Sequence, residues 1–456
     1  MVRSWLPMES IAPMSRPGSG YPRATAGPAM IEGCRAGRRW SNCKTLLIVV
    51  LIGLTGNIAR GEGNHPLASL LNERLSLMRD VAAYKWQHGL SIEDSEREAV
   101  VVARAVAEGR NLGLEPDTTR RMFEAQIDAA KVVQHYWFER WLAGEDLPLV
   151  GQLEDDFLEE QLRPRLLHLG KAILNAASSE DRPHKTELIH SLTIEGLDES
   201  ARAALVDAVL SLRRYPNRLS QILDLGQLRI GTTGDYPPFT FRANEQAPLL
   251  GLDIDMAKDL AASLGVEPVF VATSWPALTA DLEAGRFDIA MGGVSRTLER
   301  QRIGFLSLPY HDGGKTVVAP CAGADRYSSL QAVDQPGVRV IVNPGGTNEQ
   351  FVDRELSRAQ KIPHQDNRTI FAGLLRGDAD LMITDRIEGQ WQVARHPELC
   401  LPMGGNNLTY QEKAYLMPQD SVLKAYVDTW LSLRIAKGEV DALFRRWLDA
   451  PIPGEP

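Results

Sequence analysis

The 456-residue chain reads as a multidomain protein, α then α/β: an all-helical domain followed by a domain of alternating strands and helices. Three observations point there. The length exceeds what one hydrophobic core usually serves. From Pro66 to about Arg218 apolar residues recur every three to four positions with no strand-like alternation. Beyond Tyr215-Pro216-Asn217 short apolar runs alternate with helical patterns, the mark of βαβ units and a mainly parallel sheet.

The elements follow in order. Arg35, Arg38, Arg39 and Lys44 precede the apolar run Thr45–Gly56. A basic stretch before a short apolar core predicts a secretory signal, too short to span a bilayer comfortably, with cleavage near Gly61. Residues 1–61 are therefore expected to be an extension and signal peptide. That leaves no stable membrane association after cleavage and a periplasmic or secreted protein.

Leu67, Leu70, Leu71, Leu75 and Met78 mark a first helix, broken at Gly89-Leu90-Ser91. Ile92–Asn111 is a second and Pro116 to about Trp141 a third. Residues 152–177 and 200–213 give two more. The helical domain is expected over 62–218. The α/β domain is expected over 219–456, with strands at 228–232, 268–272, 288–291, 338–342 and 380–383. Helices are expected there at 252–264, 275–284, 348–357 and 421–447.

Composition narrows the function. A net charge of −9 without a basic stripe excludes broad nucleic-acid binding but leaves room for a locally positive pocket. No His pair, Cys-x-x-Cys or phosphate-loop fingerprint appears downstream of the signal, so neither metal nor cofactor is expected. Cys34 and Cys43 would leave with the signal. Cys321 and Cys400 remain, either as one disulfide or as two unrelated thiols.

On the helical part, Arg74 and Lys85 are eleven residues apart, close to three turns, and so share a face. Arg97 and Glu98 follow on the second helix, Gln126, Ala130 and Gln134 form a stripe on the third, and Arg163 opens the fourth. By residue type alone these are solvated charges. The segments Asn72-Glu73-Arg74-Leu75, Val81–Trp86 and Ile92–Glu98 together, however, resemble the secreted all-helical chorismate mutases over about residues 66–175. The resemblance implies that Arg74, Arg97 and Arg163 bind the two carboxylates of chorismate, with Asp94 and Glu98 beside them. It implies that Lys85 and Gln134 donate to the ether oxygen. Where some relatives carry a Glu that must be protonated, Gln134 predicts a mutase that does not need acid.

In the α/β part, Gly231–Phe239, Gly251–Met256 and Asp288–Arg300 resemble the polar amino-acid solute-binding proteins over about residues 225–448, a fold of two lobes closing on a ligand. Thr273–Pro276, Leu298–Arg302, Val342–Glu349 and Thr384–Glu388 are similar more specifically to the periplasmic cyclohexadienyl dehydratases. This implies that Arg300, Ser295 and Thr347 hold a carboxylate, that Asp385 sits where an amine is usually held, and that Tyr236, Phe239 and Trp275 wall the ring. It implies Glu388 as general acid, with Glu349 and Asp385 as rivals, and Asn343 or Asn348 orienting either Glu388 or the ring carboxylate. It also pairs Cys321 with Cys400.

The expected function is a bifunctional enzyme taking chorismate through prephenate to phenylpyruvate, or arogenate to phenylalanine, as a homo-oligomer or a monomer. The rival is a mutase fused to an amino-acid receptor that closes without chemistry.

Overall fold

The computed structural model describes residues 65–147, 157–244, 246–404 and 406–449. The expected signal segment lies outside them, and the remainder is described by itself. Among the described residues no helix is long and apolar enough to cross a membrane.

The helical part comprises α1 (Pro66–Ser76), α2 (Met78–Gln87), α3 (Ser95–Asn111), α4 (Pro116–Leu142), α5 (Arg163–Ala177), α6 (Lys185–Ser191) and α7 (Glu199–Leu210), and α8 (Arg218–Leu225) opens the α/β part. Local chemistry sets the starts. His65 Nδ1 accepts the Leu67 N–H at 3.2 Å and Pro66 fills the first helical position of α1. Asp94 Oδ1 accepts the Arg97 N–H at 3.0 Å, while Glu98 Oε1 accepts the Asp94 N–H at 3.3 Å. This reciprocal cap starts α3 at Ser95, three residues later than periodicity suggests. The long α4 buries Met122, Gln126, Ala130, Val133, Gln134 and Trp137 along one stripe. It packs on α2, α3 and α7, while α1 packs on α5. α6 and α8 are helices that the sequence reading did not separate, and a π-helical turn, Leu158–Leu162, leads into α5.

The α/β part has two five-stranded sheets, one per lobe. In lobe 1 the order is Glu267–Ala272, Gln227–Thr232, Ile289–Ala290, Leu416–Met417, Phe305–Leu306. In lobe 2 it is Gln360–Pro363, Arg339–Val342, Leu381–Asp385, Lys315–Pro320, Leu399–Cys400. Parallel pairs dominate one edge of each sheet. Leu416–Met417 and Lys315–Pro320, however, run antiparallel to their neighbours, so the sheets are mixed where mainly parallel ones were expected. The antiparallel strands are those by which the chain enters lobe 2 and returns to lobe 1. A two-stranded ribbon, His311–Gly313 against Gln411–Lys413, joins the lobes and places Lys413 opposite His311. The expected helix 421–447 is two, Ser421–Ala436 and Glu439–Asp449, because Gly438 (φ 71°) interrupts it.

The two parts touch. Arg110 Nη1 donates to Gln227 Oε1 (2.8 Å), Gln221 Nε2 to the Arg110 carbonyl (2.8 Å) and Arg229 Nη1 to Asn111 Oδ1 (2.8 Å). Arg229 also grips buried Asp288 at 2.7 Å. The C-terminal end of α3 is thereby held against the start of the strand Gln227–Thr232.

Candidate active sites

The first site is a cavity of about 310 Å³ inside the helical part. Arg74, Lys85, Arg97 and Arg163 line it, as do Asp94, Glu98 and Gln134, so all seven residues expected there converge. Helical geometry explains this: α1 and α2 present Arg74 and Lys85, α3 presents Arg97, and α4 presents Gln134 from its inner stripe. Arg74 is buried and gives Nη1 to the Leu166 carbonyl (3.0 Å), while its Nε has no partner. Burial pushes its guanidinium down to about 10, still charged at neutral pH. Lys85 Nζ donates to the Ile92 carbonyl at 2.8 Å. Burial lowers it too, with Asp94 and Glu98 opposing. Arg163 pairs with Glu159, and Gln134 Nε2 donates to the Ala130 carbonyl (3.1 Å). Asp94 and Glu98 are chiefly the cap of α3 described above.

Three further cations line this cavity, Arg104, Lys131 and Lys171. Lys131 holds Glu98 and Asp128, each at 3.3 Å. Arg104 was legible, since it follows Arg97 by two helical turns on the same helix. Lys131 was not, because a charge beside the stripe Gln126-Ala130-Gln134 looks solvated.

The second site lies between the lobes. Tyr236, Trp275, Ser295 and Arg300 reach it from lobe 1, and Asn343, Thr347, Asn348 and Asp385 from lobe 2. The enclosed space is about 20 Å³, room for about one water. The lobes are therefore closed on each other, and admission of a substrate requires them to part. Gly345 shows how closely they meet: a Cβ there would lie 2.6 Å from Pro276 of the other lobe. Gly293 is constrained likewise, with φ 72° and a Cβ position 2.5 Å from the Tyr236 ring.

Two buried lysines that the sequence reading missed dominate the cleft. Lys315 Nζ lies 2.8 Å from Asp385 Oδ1 and 2.9 Å from Thr347 Oγ1, and also contacts Asn348 Oδ1. Lys413 Nζ lies 2.6 Å from Asp385 Oδ2, 3.0 Å from Ser295 Oγ and 3.1 Å from Tyr236 Oη. Tyr236 also donates to Asp385. Burial opposes ionisation of Asp385, but Lys315 and then Lys413 outweigh it and hold the carboxyl far below its ordinary range. This corrects the amine-holding role expected of Asp385, because two ammonium groups already occupy its oxygens. Burial pushes Lys315 down to about 8. Its signal was present, a lysine heading the apolar strand Lys315–Pro320. Lys413 had none, since only the return of the chain through the hinge brings it in.

Glu388 stands just behind the cavity wall, 1% exposed. Thr384 donates its hydroxyl to Glu388, and Asn348 Nδ2 donates to Thr384 Oγ1 at 3.2 Å. Asn343 Oδ1 accepts from Asn348 at 3.4 Å. Burial first, with Asp385 and Asp235 adding to it, pushes the Glu388 carboxyl up to about 8. The rival Glu349 is elsewhere occupied, accepting from the Gly345 N–H (2.8 Å) and Lys361 (3.2 Å). Phe239 is wholly buried core, stacked on Tyr236, and does not line the cavity. Cys321 and Cys400 form a disulfide, Cα atoms 4.9 Å apart, beside the strand that starts with Lys315. No His, Cys, Asp and Glu cluster suited to a metal occurs among the described residues.

Comparison with known proteins separates the same two parts. The family profile "Chorismate mutase type II" matches residues 64–135, and "Bacterial extracellular solute-binding proteins, family 3" matches 228–450. A cyclohexadienyl dehydratase of Pseudomonas aeruginosa is 47% identical over 242 residues, 53% of this chain and 90% of that protein. A monofunctional chorismate mutase of Enterobacter agglomerans is 30% identical over 168 residues, 36% of this chain and 90% of that protein. The chain belongs to both families, chorismate mutase and cyclohexadienyl dehydratase. A secreted chorismate mutase of Yersinia pestis is also similar, 43% identical over 76 residues, 17% of this chain and 41% of that protein. The first cavity thus lies in the mutase part and the cleft in the dehydratase part.

Proposed function

We propose that this protein is a bifunctional enzyme of phenylalanine biosynthesis. Its mutase part, residues 62–218, rearranges chorismate to prephenate. Its dehydratase part, residues 219–456, converts prephenate to phenylpyruvate, with arogenate to phenylalanine as the parallel reaction. The observation that carries the second activity is Glu388, a buried carboxyl pushed up to about 8 and so protonated at neutral pH. A receptor needs no such acid, whereas loss of a ring hydroxyl does.

The mutase reaction needs no nucleophile. Arg74, Arg97 and Arg163 suit the two carboxylates through bidentate contacts, and Lys85 and Gln134 suit the ether oxygen on which charge develops. Arg104 and Lys131 add to the positive field. Around the cleft, Arg300, Lys315 and Lys413 gather, the two lysines on the ionised carboxylate of Asp385. This gathering of cations suits an anionic substrate such as prephenate. It also speaks against the receptor reading, since an amino acid would bring its ammonium to an aspartate already paired. As Glu388 gives its proton to the ring hydroxyl, the ring carboxylate departs as carbon dioxide and the ring becomes aromatic.

We also place the protein in the periplasm or outside the cell, exported by the segment Thr45–Gly56. In support, one matching family is described as extracellular and one relative as secreted. The deciding experiment supplies the purified full chain with chorismate or with prephenate and follows phenylpyruvate. Formation from both supports the proposal. Prephenate that accumulates and is never consumed leaves a mutase joined to a binding domain.

A further inference from the structure

Glu388 can protonate the ring hydroxyl only if that hydroxyl is held in place, and none of the groups assigned so far does this. In the corner where the lobes meet, Asn367 Oδ1 is a buried acceptor without a partner. Asn367 is 6% exposed and lines the cleft cavity. Its Nδ2 donates across the cleft to the Asp235 carbonyl at 2.8 Å. Because that neighbour is a carbonyl, the amide nitrogen must face it, which turns the amide oxygen away as a pure acceptor. A buried acceptor left unsatisfied is costly, so this oxygen calls for a donor.

Prephenate offers one. At neutral pH its carboxylates and ketone only accept hydrogen bonds, and its ring hydroxyl is its single donor. We propose that Asn367 is a substrate-positioning residue of the dehydratase part, its Oδ1 accepting from the ring hydroxyl while its Nδ2 bridges the lobes. The inference rests on the dehydratase reading above. Asp235 supplies the carbonyl that fixes the amide, and its carboxyl is among the groups that raise Glu388. The hydroxyl would thus be held with its lone pairs open to the acid.

The step balances without a further reactant. The bond from the ring to its carboxylate breaks and carbon dioxide leaves. The electron pair enters the ring, the carbon–oxygen bond breaks, and the oxygen takes the Glu388 proton and departs as water. The hydroxyl's own hydrogen stays on that water, and Glu388 is reprotonated from solvent. Asn367 neither gains nor loses a proton.

The test uses the full chain with Asn367→Ala and Asn367→Asp. It measures kcat and KM for prephenate and the Kd of phenylpyruvate, which lacks the ring hydroxyl. Asn367→Ala should lower kcat roughly 10- to 100-fold, with phenylpyruvate affinity within about 3-fold of wild type. Asn367→Asp keeps an acceptor but loses the amide donor to the Asp235 carbonyl, so it should recover kcat only in part. An unchanged kcat in Asn367→Ala overturns the inference. So does a fall in phenylpyruvate affinity as large as the fall in kcat in both variants, which makes Asn367 a latch alone. The thermal midpoint and the mutase rate of the same samples report folding. A wild-type chain that never turns over prephenate fails the parent reading as well; an active wild type beside an unaffected Asn367→Ala fails this inference only.

Discussion

Lys413 Nζ lies 2.6 Å from Asp385 Oδ2, joining the hinge ribbon to the end of a lobe 2 strand. Lys315 binds the other carboxylate oxygen, so Asp385 fixes both ammonium groups in a closed cleft. Replacing Lys413 by Met leaves a buried carboxylate with half its compensation. We expect a stability loss of about 3 kcal/mol by denaturant unfolding, and a loss of prephenate turnover of at least roughly 100-fold. Wild-type turnover in Lys413→Met would show that the pair is dispensable.

Glu388 sets the pH response. Its carboxyl is raised to about 8, so dehydratase kcat should be level at neutral pH and fall as pH rises through about 8. The stability sign follows from linkage. A carboxyl that holds its proton more tightly when folded loses stabilisation as pH rises from its ordinary range towards 8. Glu388→Gln should flatten that loss, lower dehydration by roughly 1,000-fold and leave phenylpyruvate binding nearly intact. Retained turnover in Glu388→Gln would move the acid elsewhere.

The mutase should titrate differently. Gln134 carries no proton to lose, so chorismate turnover should vary little between acid and neutral pH. Gln134→Glu should make the rate rise as pH falls, because only the protonated acid donates. A pH-independent Gln134→Glu enzyme would remove this side chain from the reaction.

Arg97→Ala should lower mutase kcat/KM by roughly 100- to 1,000-fold while prephenate dehydration continues at its full rate. The α3 cap should survive, since Asp94 accepts the backbone N–H of residue 97. A matching loss in both activities would indicate a folding defect.

The Cys321–Cys400 bridge closes a separation of 79 residues. Removing it as Cys321→Ser with Cys400→Ser should cost about 2–5 kcal/mol of stability, read as a lower melting midpoint. The helical part should melt unchanged.

Much of this was legible because it is periodic or local. The buried stripe of α4 and the ends of the helix Leu252–Leu264 follow from spacing and from glycine at the stop. The same spacing put Arg74 and Lys85 on one face, while only the resemblance to the secreted chorismate mutases brought Arg97 to them. The start of α3 was missed because the reciprocal Asp94–Glu98 cap overrides the apolar period that begins at Ile92. The pairing of Lys413 with Asp385 joins residues 28 apart through a hinge, and no local pattern encodes such a meeting. Asn367 was unreadable for a related reason: it sits in the short 3-10 turn Asn367–Thr369, and its partner is 132 residues away.

The grip of α3 on lobe 1 has one more consequence. Asn111 and Arg110 hold Arg229 and Gln227, at the start of a strand whose far end leads to Tyr236 and the cleft. Six residues of strand, about 20 Å, separate the two ends. Every hydrogen bond described between the parts ends on α8 or lobe 1, so lobe 2 can swing without disturbing the mutase cavity. The two catalysts should behave as independent passengers on one chain. Saturating the cleft with phenylpyruvate should leave the KM for chorismate where it was, and a shift of more than about 3-fold would reveal a coupling free energy that this junction does not provide.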